Sequence, residues 1–315
     1  MISEKTLFIL GAGASLPYGY PSGKDLRKSI SFNFVNDYVN YFCNSNVDQN
    51  NQNYINYLRK FSNKFYKSSN KSIDLFLSRN PEFNSVGKLA ITLEIFKAEF
   101  ESNFREKISN VNQDWYSYLF DRLTNTFKNK DQFKLSENEI SFITFNYDRS
   151  LQQFLFESLF NSFESIKDTE AANEIRNIPI LHVYGQIAPL PWESHNSGIS
   201  YKRKIMSDII DSANENIKLI DENNNSDIGQ NISEMIRSAD RIFFLGFGYA
   251  KENLEVLNFP YIIKEEHKIF GTGLGLTDRE ITEISNTFFY PGLTNSKNII
   301  IKNNFDNLQL IREYL

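Results

Sequence analysis

Residues 7–15 read "LFILGAGAS", an apolar run over residues 7–10 that stops at Gly11-Ala12-Gly13. Such a run suits a strand buried on both faces, and a glycine turn straight after it is where an open α/β sheet forms its ligand crevice. Glycines let the backbone approach a pyrophosphate, and the helix that follows aims its N–H groups at it. Alone, the turn is equally plain punctuation between strand and helix, so its meaning depends on the rest of the chain.

Five more short apolar runs follow, at residues 140–145, 178–184, 241–245, 268–270 and 298–301, with helix-like segments between most of them. That alternation predicts an α/β fold: a Rossmann-like parallel sheet with helices on both faces. A last helix is expected over about 304–314. The stretch from about 23 to 139 breaks the rhythm, because it has amphipathic patterns and no strand. Val86, Leu89, Leu93, Phe96, Phe100, Phe104 and Ile108 step by three or four residues, as one apolar stripe on a helix does. "SIDLFLSR" starts with Ser72 as an N-cap, and "DWYSYLFDRLTNTF" at 114–127 reads as a further helix. Residues 23–138 are therefore expected to form a helical module inserted between strands one and two, over the mouth of a nucleotide site. Residues 1–22 and 139–315 would form the Rossmann-like part of one unit.

The bulk properties narrow the function. Among 315 residues there is a single cysteine, Cys43, so no internal disulfide or four-cysteine zinc site can form, and a reducing, cytoplasmic setting is expected. No stretch approaches the ~20 apolar residues of a membrane span, and "MISEKTLFIL" does not have the proportions of a signal peptide. A net charge of −5, a pI near 5.5 and the absence of a Lys/Arg run argue against nucleic acid as a direct ligand. No GxxxxGK[ST] loop is present. The Asn-rich stretches at 44–53 and 221–225 read as loops.

Three further motifs sit where strands meet turns. Thr144-Phe145-Asn146-Tyr147-Asp148 follows the second run, and polar residues there share the crevice with the glycine loop. Helix capping explains Asn146 or Asp148 but not both. In "ILHVYGQ", His182 and Tyr184 stand two apart before Gly185, so a continuous strand would present both on one side; His195 and His267 have no such position. Gly246-Phe247-Gly248 and Gly271-Thr272-Gly273 are two more strand-to-glycine junctions, suited to backbone approach to ribose and adenine. The third glycine of the dinucleotide fingerprint is missing and no acid follows about 20 residues on, which argues against a hydride-transfer dehydrogenase.

In order, GAGAS with Gly19-Tyr20-Pro21, then TFNYD, HVYG, LGFGY and IFGTG resemble the sirtuin-like NAD-binding family, in particular its bacterial branch of NAD-consuming antiviral-defence proteins. "SIDLFLSR" and "GKLAITLEIFKAEFE" are similar to the helical insertion of that branch, so the resemblance covers most of the chain. It implies an NAD hydrolase that takes NAD as substrate and needs no metal. It also implies that Gly11, Ala12, Gly13 and Ser15 hold the diphosphate, with Pro21 and Thr144 beside it. Asn146 matches the family's active-site Asn, and Asp148 would support the nicotinamide pocket. Gly246 and Phe247 would lie against the ribose, Gly271 and Thr272 near the adenosine. The family's catalytic His immediately precedes glycine; here Tyr184 has that place and His182 lies two residues earlier, leaving the base open between them. Ser22-Gly23-Lys24 replaces the family's Phe-Arg pair, so water is the expected acceptor. The resemblance further implies a silent state relieved by assembly: a homo-oligomer, a HerA-type hexameric ATPase as partner, or both. The alternative is a non-catalytic subunit that senses NAD or ADP-ribose.

Overall fold

The computed structural model of the chain describes residues 1–43, 49–101, 113–127, 134–162, 166–207, 215–219, 222, 226–288 and 296–315. Strands β1 (Thr6–Leu10), β2 (Ile140–Thr144), β3 (Ile180–His182), β4 (Arg241–Leu245), β5 (Lys268–Thr272) and β6 (Ile299–Lys302) form one sheet in the order β3-β2-β1-β4-β5-β6. Every pairing is parallel. This is the Rossmann-like sheet, covered by helices on both faces. Every residue of β1 and β4 is buried, the reason both read as unbroken apolar runs. Register places Phe142, Phe8, Phe243 and Phe270 side by side across four strands. Their rings follow one another at 5.2, 5.4 and 5.0 Å, and Tyr314 extends the ladder at 4.6 Å from Phe270. Each buried ring contributes roughly 2–3 kcal/mol, so the ladder ties the sheet together sideways.

Between β1 and β2 the described residues hold six helices: α1 (Gly23–Phe32), α2 (Phe34–Phe42), α3 (Gln49–Ser68), α4 (Ile73–Ser78), α5 (Asn84–Glu101) and α6 (Trp115–Thr124). The N-cap expected at Ser72 is present. Ser72 accepts from Leu75 N at 3.1 Å, and Asp114 accepts from Ser117 N at 3.1 Å. Ser22 and Asp25 form a reciprocal capping box on α1, so Ser22-Gly23-Lys24 starts a helix. In α5, Val86, Leu89, Leu93 and Phe96 are buried as the stripe predicts, whereas Phe100 is half exposed. Ala90, Ile91, Ile95 and Glu99 are buried too, so α5 is not a one-faced helix but the central rod of the insertion. Phe104 and Ile108 lie outside the described residues. The insertion and the sheet share one continuous hydrophobic core.

The remaining helices are α7 (Ser150–Ser162), α8 (Asp168–Arg176), α9 (Ser226–Ser238), α10 (Lys251–Val256), α11 (Asp278–Phe288) and α12 (Asn307–Tyr314). All six expected strands are present, with shifted ends. β3 is shorter than expected, because Val183 and Tyr184 turn away before Gly185, whose φ is +71°. The last helix starts three residues later than expected, where Asp306 and Gln309 form a capping box. Of the Asn-rich stretches read as loops, residues 49–53 instead open α3; residues 44–48, 221 and 223–225 lie outside the described residues. No described helix is long and apolar enough to cross a membrane.

Candidate active site

β1 lies between β2 and β4, the point where the winding of the sheet reverses, and a crevice opens beyond the carboxyl ends of these strands. Its floor is made of two glycine loops locked together. Gly11 N donates to Leu245 O at 3.0 Å and Gly13 N to Gly246 O at 3.0 Å. A Cβ on Gly11 would meet Gly246 O at 2.6 Å, and one on Gly13 would meet Gly246 Cα at 2.7 Å. Gly246 has φ +56°, and a Cβ there would lie 2.1 Å from Ala14 N. The glycines are thus required by the mutual approach of the two loops. Ala14 N donates to Gly11 O and Ser15 N to Ala12 O, so the amides of Gly11, Gly13, Ala14 and Ser15 are all engaged within the protein.

The turn after β2 grips this loop. Asn146 donates through Nδ2 to Gly11 O at 3.0 Å and to Ser15 Oγ at 3.1 Å, while its own amide donates to Thr144 Oγ1 at 3.1 Å. Asp148 caps α7: its Oδ1 accepts from Ser150 N at 3.1 Å and from the Ser150 hydroxyl. Burial raises the Asp148 carboxyl above its usual range, against hydrogen bonds from the Ser150 and Ser15 hydroxyls that lower it. Capping therefore accounts for Asp148, and Asn146 has a different task, tying two strand ends together at the crevice wall.

His182 and Tyr184 do not share a side. β3 ends at His182, so the two-residue alternation fails before Tyr184 is reached. The His182 ring sits behind the crevice wall. Gln152 Nε2 can only donate and contacts its Nε2 at 2.6 Å, so the proton resides on Nδ1, which donates to Asn146 O at 3.0 Å. Burial pushes its pKa down to about 4, leaving a neutral ring that props the Asn146 backbone. Tyr184 does line the crevice. Its hydroxyl donates to Asn253 Oδ1 at 3.0 Å, and burial raises its pKa far above the ordinary value.

The crevice has two chambers on either side of Gly246-Phe247-Gly248. The larger, about 390 Å³, lies under the insertion and is lined by the glycine loop, Pro21, Asn146, Asp148 and Tyr184 together with residues not counted among the site candidates. Those are chiefly Asp74, Tyr147, Glu252 and Asn253, with Tyr20 and Phe145 on the walls. The Tyr147 hydroxyl donates to Asp74 Oδ1, and burial raises the Asp74 carboxyl above its usual range. The smaller chamber, about 290 Å³, lies at the ends of β5 and β6, between Leu16, Phe247, Thr272, Leu274 and Asp306. Thr272 lines it and accepts from Gly246 N at 2.9 Å through Oγ1. Gly271 does not line it: its Cα faces the Tyr249 hydroxyl, which a Cβ would meet at 2.2 Å.

One supporting pair was also unmarked in the sequence. Arg149, fully buried, makes a two-pronged contact with Glu99 of α5, Nε to Oε2 at 2.9 Å and Nη2 to Oε1 at 2.8 Å, and donates to the carbonyls of Pro189, Ile199 and Ser200. It joins the insertion to the turn that carries Asn146. Its neighbourhood in "FNYDRS" offers one signal: an arginine one residue past a capping aspartate, in a strand-to-helix turn. Among the described residues, no group of three or more His, Cys, Asp and Glu side chains is placed to hold a metal ion. No protein-family model matches the chain, and no curated protein matches it either.

Proposed function

We propose that the chain is an NAD hydrolase that converts NAD and water to ADP-ribose, nicotinamide and a proton, and that it acts in bacterial antiviral defence by depleting NAD. The observation that carries this reading is the placement of Asn146. It is buried in the wall of the larger chamber, pinned to the glycine loop, beside Asp148 and beneath an insertion that contributes a second carboxylate, Asp74. Cleavage of the C1′–N bond passes through an oxocarbenium-like transition state, and nicotinamide leaves neutral because the ring of NAD is cationic beforehand. No strong general acid is required. A rigid amide at the ribose hydroxyls or at the attacking water supplies positioning, and the proton of that water passes to a chamber carboxylate whose pKa burial has raised. The resemblance of the ordered motifs to those of the sirtuin-like family supports the same reading.

Such an activity would harm its own cell unless silent until triggered. We assign that control to assembly, either of copies of this chain or with a HerA-type hexameric ATPase, by analogy with the family it resembles.

A second reading, a non-catalytic NAD or ADP-ribose sensor, is favoured by one observation. Both ring nitrogens of His182 are engaged behind the wall, so no imidazole base faces the chamber. The test is nicotinamide release from NAD by purified protein, alone and with candidate partners, for wild type and Asn146→Ala. Release by wild type that falls at least about a hundredfold in the variant supports the hydrolase. Tight ADP-ribose binding with both proteins inert under every condition supports the sensor and ends the enzyme reading.

A further inference from the structure

We propose that the crevice selects its dinucleotide by charge, taking NAD and rejecting NADP, with Asp306 as the residue that turns away a 2′-phosphate. This rests on the NAD reading and specifies which form of the dinucleotide the site accepts. Neither chamber is lined by a lysine, arginine or histidine among the described residues. The larger carries Asp74, Asp148 and Glu252, and the smaller carries Asp306.

Among the described residues no cationic side chain lines the crevice to meet a diphosphate, and most amides of the glycine loop are engaged. Its own charge is tolerable against neutral donors, but each further negative charge is uncompensated in a partly desolvated crevice. The cationic ring of NAD, by contrast, fits the acid-lined chamber, where Phe145, Tyr147, Tyr184 and Phe247 also supply aromatic walls.

With the reacting end beside Asn146, the adenosine end lies across the Gly246–Gly248 loop, in the smaller chamber. Leu16, Pro17, Leu274 and Leu276 give that chamber apolar sides, and Asp306 stands at its rim. Asp306 Oδ1 accepts from Gln309 N at 2.8 Å, and Asp306 N donates to Gln309 Oε1 at 2.9 Å. The positive pole of α12 is thereby occupied by the protein's own carboxylate. A ribose hydroxyl can donate to such a carboxylate, as in NAD-selective dinucleotide folds, whereas a 2′-phosphate is repelled and finds no arginine among the described lining residues.

The experiment titrates the full chain with ADP-ribose and with ADP-ribose 2′-phosphate, probes that do not turn over. At low salt ADP-ribose is expected to bind at least about tenfold more tightly. Between about 50 and about 500 mM salt that gap narrows, since the repulsion is screened. Asp306→Asn narrows it further at low salt; Asn caps a helix about as well as Asp, so an unchanged melting temperature accompanies the change. Equal affinities for the two probes in wild type overturn the charge rule and leave the NAD reading standing. A wild-type gap that is unchanged in a folded Asp306→Asn variant overturns the role of Asp306. Failure of both ADP-ribose and NAD to bind overturns the NAD reading, and this inference with it.

Discussion

The two walls of the crevice are built by different means. On the sheet side, backbone does the work: two glycine loops interlock, and Asn146 pins the first of them at Gly11 O and Ser15 Oγ, 3.0 and 3.1 Å away. On the insertion side the work falls to side chains, with Asp74 meeting Tyr147 and Glu99 meeting Arg149 across 73 and 50 residues of chain. The first wall is held by steric necessity and the second by charge and hydrogen bonding, so they should fail differently. Glycine substitutions should damage one, and carboxylate substitutions or pH the other.

The largest effect is expected at the buried pair. Glu99→Ala leaves the Arg149 guanidinium uncompensated in the core and should cost about 3–5 kcal/mol in urea unfolding. A loss under about 1 kcal/mol would mean that the insertion wall does not depend on its ion pair. Next, Gly246→Ala should cost about 3 kcal/mol, because its Cβ would overlap Ala14 N at a φ that L residues rarely adopt. It should also abolish ligand binding in any protein that remains folded. If the variant melts like wild type, the two loops are not interlocked.

pH separates the walls next. The His182 pKa is lower in the folded state, so its contribution to stability is present above pH 6.5 and lost as pH falls from there to about 4. The total is on the order of 3 kcal/mol, and His182→Gln should flatten that acid limb. An unchanged limb would remove His182 from the support of Asn146. Asp74 behaves oppositely: its folded pKa is raised, so stability falls as pH rises out of the ordinary carboxylate range. Asp74→Asn should therefore stabilise the protein modestly at neutral pH, with a margin that shrinks on acidification, while slowing nicotinamide release. A variant less stable than wild type at neutral pH would reverse that assignment.

How much of this was legible follows the same division. "RIFFL" and "LFIL" announce strands because central parallel strands are apolar on both faces; the edge strands β3 and β6, only partly buried, were readable from their short apolar runs. The need for glycine at 11, 13 and 246 was readable as well. Its cause was not, since the partner of Gly13 is another glycine 233 positions away. His182 and Tyr184 were misplaced because parity along a strand holds only while the strand continues, and Gly185 ends it. Asp74 resembled any acid in the first turn of a short helix. Only the fold brings Tyr147 to it, and no local pattern encodes a contact of that range.

The glycine loop also carries its own optical reporter. Trp115 is fully buried at the start of α6, and its indole Nε1 donates to Ala14 O at 2.8 Å, directly on the loop that floors the crevice. The chain has one other indole, Trp192, which stacks on Phe156 at 5.4 Å away from this loop. In a Trp192→Phe protein the intrinsic fluorescence would come from Trp115 alone. A change in its emission maximum or lifetime on adding nucleotide would then report, without any label, that the loop had responded.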